Sequence, residues 1–227
     1  MKKKILIVAI LVVLLGGVIF LFSQNNFFIK PPVAESFYIG NLHTHTDASD
    51  GKMTYNEAIE EAQKLSFNFI AITDHNTISP DTKEFCPKET RILCIVGEEV
   101  SSKNGHILAI GIQDVIPKDL SPEETIVKIH EQGGLAIPAH PGASNGLAIE
   151  KIKELSVDAV ECSIRHQKEG APYDCELLPN LPHVYNSDAH KISELSRAAD
   201  KCLMEELTFE NLAEAVKDRR CFNFYGK

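Results

Sequence analysis

IGNLHTHTDASDG, residues 39–51, sets two histidines one residue apart at the end of an apolar run, with two aspartates close behind. Residues two apart on an extended strand share a face, so His43 and His45 can reach one ion. Imidazole nitrogen and carboxylate oxygen are donors that zinc, manganese and iron accept together. A strand that ends in such residues is also a fold signal, because βα barrels carry their chemistry at the carboxyl ends of their strands.

Working outward, short apolar runs rich in branched residues recur at Phe37–Asn41, Phe69–Thr73, Ile92–Val96, Ile107–Ile112, Leu135–Pro138, Ala159–Ile164, Val184–Asn186, Lys201–Glu205 and Cys221–Tyr225. Helix signals lie between several of them. Thr54 with Glu57 three positions on forms a capping box for a helix through Leu65. Ser121-Pro122-Glu123-Glu124 starts another, since proline suits the first turn and acids favour the positive helix end. That helix stops before Gly133-Gly134. Thr208 begins a last helix, and a shorter one spans 148–155. Strands alternating with helices predict parallel βα units, and their number in this length predicts a closed or nearly closed α/β barrel.

The strand ends then repeat the opening pattern. They read Thr73-Asp74-His75, Gly97-Glu98-Glu99, Ala139-His140-Pro141 and Ser187-Asp188-Ala189-His190, with His106 opening a strand after the turn SSKNG. A single histidine at a strand end is ordinarily a polar core residue. Five such groups in a chain of nine histidines point instead to a shared metal site. His130 in a helix and His183 in a loop are read as surface residues.

The chain has 227 residues and a formal charge of −9. That charge, without a basic stripe, argues against a long nucleic acid as partner. Residues 1–4, MKKK, read as a basic cytoplasmic end, and residues 5–22 as an uncharged apolar stretch long enough to span a bilayer. The expected arrangement is a single-pass, uncleaved membrane anchor, a spacer at 23–36 containing Pro31-Pro32, and an extracytoplasmic domain over 37–227. The six cysteines form no CxxC pair, which leaves disulfides and buried thiols as equal alternatives.

The ordered set HTHTDASDG, TDHN, GEEVSS, HILAIG, PAHP and SDAH resembles the polymerase and histidinol phosphatase (PHP) superfamily over nearly the whole chain after residue 36. The resemblance implies a distorted barrel of about seven βα units, a (β/α)7-type PHP barrel, with up to three divalent ions (Mn, Zn or Fe) at its mouth. It also implies hydrolysis of a small phosphomonoester or phosphodiester, a nucleotide among them, by a metal-activated hydroxide. Carried over, His43, His45, Glu99 and Asp188 would hold one ion. Glu99 would bridge to a second ion on His106 and His140, and Asp50, His75 and His190 would hold a third. Many relatives carry histidine where Asp50 stands, so this is a carboxylate-bearing variant.

Asp74 reads as an acceptor for a ligand histidine or a proton-transfer group, and Asp47 as a loop residue. Arg165, suited to bidentate phosphate binding, and His166, placed to protonate a leaving oxygen, complete the candidate catalytic residues. Lys191 and Arg197 are weaker candidates for substrate contact, and Lys103 and Asn104, in the turn between two ligand positions, are further candidates that the sequence does not rank. Cys162 reads as a buried or disulfide-bonded strand residue rather than a nucleophile. Two rival readings are an amidohydrolase-type amide or ester hydrolase, which would normally show a metal-bridging lysine, and a non-catalytic binding module, which the filled ligand positions disfavour.

Overall fold

Phe69, Ile70, Ala71 and Ile72 are all buried, as an unbroken apolar run requires of an interior parallel strand. In the computed structural model, which describes residues 34–163 and 174–225, they form β2 (Phe69–Ile72), between β1 (Ser36–Asn41) and β3 (Leu93–Ser102). The remaining strands are β4 (Gly105–Ile110), β5 (Leu135–Pro138), β6 (Val160–Ser163), β7 (His183–Asn186), β8 (Asp200–Met204) and β9 (Cys221–Asn223). The fold is α/β. A seven-stranded sheet of order β5-β4-β3-β2-β1-β8-β9 curls into a half-barrel, and β6-β7 form a second sheet.

The expectation of uninterrupted parallel units needs correcting. Parallel pairing joins β1 to β2, β2 to β3 and β6 to β7, whereas β3–β4, β4–β5, β1–β8 and β8–β9 are antiparallel. The physical reason begins in SSKNG. Asn104 takes a left-handed φ of 72°, a conformation asparagine tolerates, and the chain reverses there into a tight hairpin. Strand β3 therefore continues beyond Glu99 to Ser102, and His106 stands opposite Ser101.

Helix α1 (Tyr55–Lys64) and helix α3 (Pro122–Glu131) start at the expected capping boxes, Thr54 with Glu57 and Ser121 with Glu124. Helix α2 (Pro80–Phe85), capped by Ser79, has too few residues for a legible apolar period. Helix α4 covers only Ile149–Ile152, and α5 (Phe209–Lys217) follows Thr208. Ala58, Ile59 and Ala62 of α1 join a core with Ile70 and Ile72, while Ile126 and Ile129 of α3 join Ile107 and Ala109.

Beside the ladders, two side chains knit β7 to the large sheet. Leu42 N–H donates to Asn186 Oδ1 and Tyr185 N–H donates to Asp200 Oδ1, each at 2.8 Å. All six cysteines are paired, as Cys86–Cys94, Cys162–Cys175 and Cys202–Cys221, which resolves the alternative left open by sequence.

The expected anchor at 5–22 lies outside the described residues. Among the described residues, no helix is long and apolar enough to cross a membrane. The longest have ten residues and extend about 15 Å, against a hydrocarbon core of about 30 Å. This corrects the placement as a single-pass anchored, extracytoplasmic protein, which the structure does not support.

Candidate metal centre

Each strand delivers its polar residues to one place because alternation turns the neighbours away. Leu42 enters the core while His43 and His45, both fully buried, face Glu99 together. At β3, Glu98 turns aside to accept from Ile116 N–H at 2.7 Å, and Glu99 faces the histidines. Burial pushes the Glu98 carboxyl up to about 7, against the pull of that hydrogen bond.

Glu99 is the hub. Its Oε2 lies 3.1 Å from His43 Nε2, 3.0 Å from His45 Nε2 and 3.4 Å from His75 Nδ1. Its Oε1 lies 2.8 Å from His106 Nδ1 and 2.9 Å from His140 Nε2. Asp188 Oδ1 approaches His43 Nε2, His45 Nε2 and His190 Nδ1, each at 3.4 Å. Asp50 reaches His190 Nε2 at 3.2 Å, His45 Nδ1 at 3.6 Å and His75 Nε2 at 3.8 Å. The structure thus brings all nine sequence-predicted ligand residues together. His45 presents a nitrogen to each side of the cluster, and His75 stands between Glu99 and Asp50.

Three overlapping groups have donor atoms close enough to share an ion: His43, His45 and Glu99; His75, Glu99 and His106; and His45, Asp50, His75 and His190. A fourth, Cys162, Cys175 and His183, is closed because its sulfurs are joined. The donor chemistry fits divalent ions. His43 Nε2 and His45 Nε2 face each other at 2.9 Å, where two lone pairs repel unless a proton or cation lies between them. Without ions, protons take that role. Burial opposes the charge on His43, but Glu161, Asp188 and Glu99 outweigh it and raise the imidazole well above its usual value. Burial likewise opposes charge on His45, yet Asp188 and Glu99 raise it to about 9. Burial dominates at His75 and His190 and lowers both.

A family model for the PHP domain matches residues 41–162, just over half of the chain. The chain belongs to the PHP domain family. It is 38% identical over 144 residues to the uncharacterized protein MJ1587 of Methanocaldococcus jannaschii, covering 57% of this chain and 84% of that one. It is 34% identical over 83 residues to a 5'-3' exoribonuclease of Haemophilus influenzae, but this match covers 34% of this chain and only 30% of the relative. Among solved structures, a two-domain protein of Bacteroides vulgatus containing a predicted PHP-like metal-dependent phosphoesterase superposes with a TM-score of 0.66. That match has 20% identity and covers 84% of this chain and 65% of the other. A lesion-specific endonuclease of Pyrococcus furiosus gives a TM-score of 0.64 at 18% identity, over 81% and 56% of the two chains. At these identities the structural likeness concerns the fold.

The other candidate residues divide between those tied to the PHP-domain cluster and those that are not. Asp74, buried, accepts from Thr46 N–H, Thr46 Oγ and Ser49 Oγ, each at 2.7 Å. It ties down the loop that carries Asp50. Asp47 is exposed, and its N–H donates to Met53 O. Lys103 and Asn104 form the exposed β3–β4 turn, Lys191 is exposed, and Arg197 pairs with Glu194 at 3.4 Å. Arg165 and His166 lie outside the described residues. Cys162 is held in its disulfide. Sequence reading passed over Glu161, which contacts His43. Its signal was an acid inside the apolar run AVECSI.

Proposed function

We propose that this PHP-domain hydrolase cleaves a small phosphomonoester or phosphodiester, nucleotides among them, with divalent manganese, zinc or iron at a trinuclear centre. His43, His45, Glu99 and Asp188 hold one ion; Glu99, His106 and His140 a second; Asp50, His75 and His190 a third. The position of Glu99 carries this reading, since each of its oxygens faces a separate set of imidazoles. Bound divalent ions supply Lewis acidity, a lowered pKa for water and charge to meet phosphoryl oxygens.

The chain's own residues do the rest. The catalytic domain is assigned to 37–227, with β6-β7 completing the wall of a seven-unit barrel. Burial keeps His75 and His190 neutral, so each offers a lone pair at neutral pH. Asp74 fixes the loop from Thr46 to Ser49 and so aims Asp50. Access is from one side, because Asp50 is 57% exposed and His75 24%, whereas His43 and His45 are fully buried. Substrate reaches the cluster over the Asp50–His75 rim; Arg165 and His166, both outside the described residues, are assigned to clamp a phosphoryl oxygen and to give a proton to the leaving oxygen. The formal charge of −9 disfavours a long polyanion. The exoribonuclease among the relatives makes a short RNA end the second substrate class.

The test uses the full chain loaded with manganese or zinc and a chelated control, following phosphate release from nucleotides and sugar phosphates, alcohol release from a bis-ester and nucleotide release from a short RNA. Release that the chelator abolishes is expected. No release across the panel from chain with bound ions, alongside cleavage of an amide or carboxylic ester, would overturn it.

A further inference from the structure

Glu161 is a fully buried acid in β6, and both of its oxygens are committed to the metal cluster. Cys162 turns away to its disulfide, and Val160 and Cys162 join the apolar layer beneath α3. Glu161 therefore projects to the opposite face. Its Oε1 lies 2.8 Å from His43 Nδ1, and its Oε2 accepts His140 N–H at 2.8 Å. Removing a carboxylate from water is costly unless hydrogen bonds replace the lost solvent, and both replacements come from ligand-type histidines.

A carboxylate oxygen can only accept, so the ring proton of His43 is held on Nδ1. That leaves Nε2 as the donor atom, and Nε2 is the nitrogen facing His45, Glu99 and Asp188. At His140 the contact is with the backbone. His140 has a left-handed φ of 30°, uncommon for a residue with a side chain, and its Nε2 reaches Glu99 Oε1. Glu161 pins the N–H of this strained residue.

We infer that Glu161 is a positioning residue that fixes the His43 tautomer and the His140 backbone together, so that one side chain governs ion binding on both sides of Glu99. This rests on the proposed metal reading of the cluster. Glutamine cannot substitute, because its single amide oxygen can accept from His43 or from His140, not both. Turned towards His43, its NH2 would drive the ring proton onto Nε2 and block that donor. Turned the other way, it would set two donors face to face at His140.

The experiment measures metal content and affinity of the full-length parent, Glu161→Gln and Glu161→Asp, with zinc or manganese, alongside melting of the metal-free forms. Glu161→Gln should lose about 10- to 100-fold in ion affinity while still melting cooperatively. Glu161→Asp, which keeps the charge and acceptor oxygens, should recover part of it. Parent-like affinity in Glu161→Gln would overturn the inference alone. A parent that binds no ion would overturn the metal reading and the inference with it. The zinc-loaded parent gives a readout independent of variant folding. Histidine-ring ¹⁵N spectra should show His43 protonated at Nδ1 with zinc on Nε2, and zinc on Nδ1 would overturn the inference.

Discussion

His43 and His45 differ from ordinary core histidines in what surrounds them. Each is fully buried, and each is raised by carboxylates that outweigh the cost of burial. A histidine whose folded-state pKa is raised adds stability fully below its unfolded value, near 6.5, and that contribution is lost as pH rises through the folded value. His45 places that loss between 6.5 and about 9. The metal-stripped chain should therefore lose thermal stability across this interval. Divalent ions displace the protons, so the loaded chain should hold its Tm there. Melts with chelator and with excess zinc check this, and a flat profile for the stripped chain would contradict it. Replacing both residues, His43→Ala with His45→Ala, should take phosphate release to background even with metal supplied. At this scale the sequence was most legible. Spacing and strand-end position marked the HxH, DH and DxH groups as candidates, and the family resemblance supplied the full set of nine residues that the fold brings together, Asp50 and the choice of Glu99 over Glu98 included. Glu161 was harder to read because a buried acid announces itself only through partners distant in sequence.

Strands and helices were legible where local physics decides them. The capping boxes at Thr54 and Ser121 and the apolar run at Phe69 are each satisfied by nearby residues. Strand direction was not legible, because pairing depends on partners far along the chain, and one asparagine turn reversed β4 against β3. The join of β7 to β8 is a case in point. Asp200 is buried, with Oδ1 accepting Tyr185 N–H and Oδ2 lacking a hydrogen-bond partner. Burial pushes its carboxyl well above the usual range, Tyr185 N–H opposes the rise, and Glu161 adds to it. An acid raised in the fold contributes stability that is complete below its unfolded value of 3.8 and is lost as pH rises through the folded value. Asp200→Asn keeps the acceptor and removes that dependence, so it should match or exceed the parent in stability at neutral pH, with the advantage growing as pH rises. Asp200→Ala strands the Tyr185 N–H and should cost about 1–3 kcal/mol. Denaturant melts of both variants decide the point, and Asp200→Asn less stable than Asp200→Ala would contradict it.

Across the whole molecule, the seven-stranded sheet and the β6-β7 pair gather the nine candidate ligand residues from six separate stretches of sequence around Glu99, and three disulfides join further segments. The bridges close loops of 8, 13 and 19 residues, for which chain entropy predicts about 2–3 kcal/mol each. Full reduction should lower the Tm clearly, measured in parallel melts with and without reductant; an unchanged Tm with the thiols shown to be free would contradict the pairing. The parity of the cysteines suggested bridges but could not select one pairing, which the fold alone decides. The hub is proposed to work as a metal-dependent phosphoesterase. The most direct test of this role adds manganese or zinc in small equivalents to the chelator-stripped full chain and follows release of the hydrolysis product, phosphate or alcohol, from the preferred substrate. No release at the start, a rise with added ion, and saturation once the cluster is filled are expected. Undiminished release from the stripped chain, or none from the fully loaded one, would contradict it.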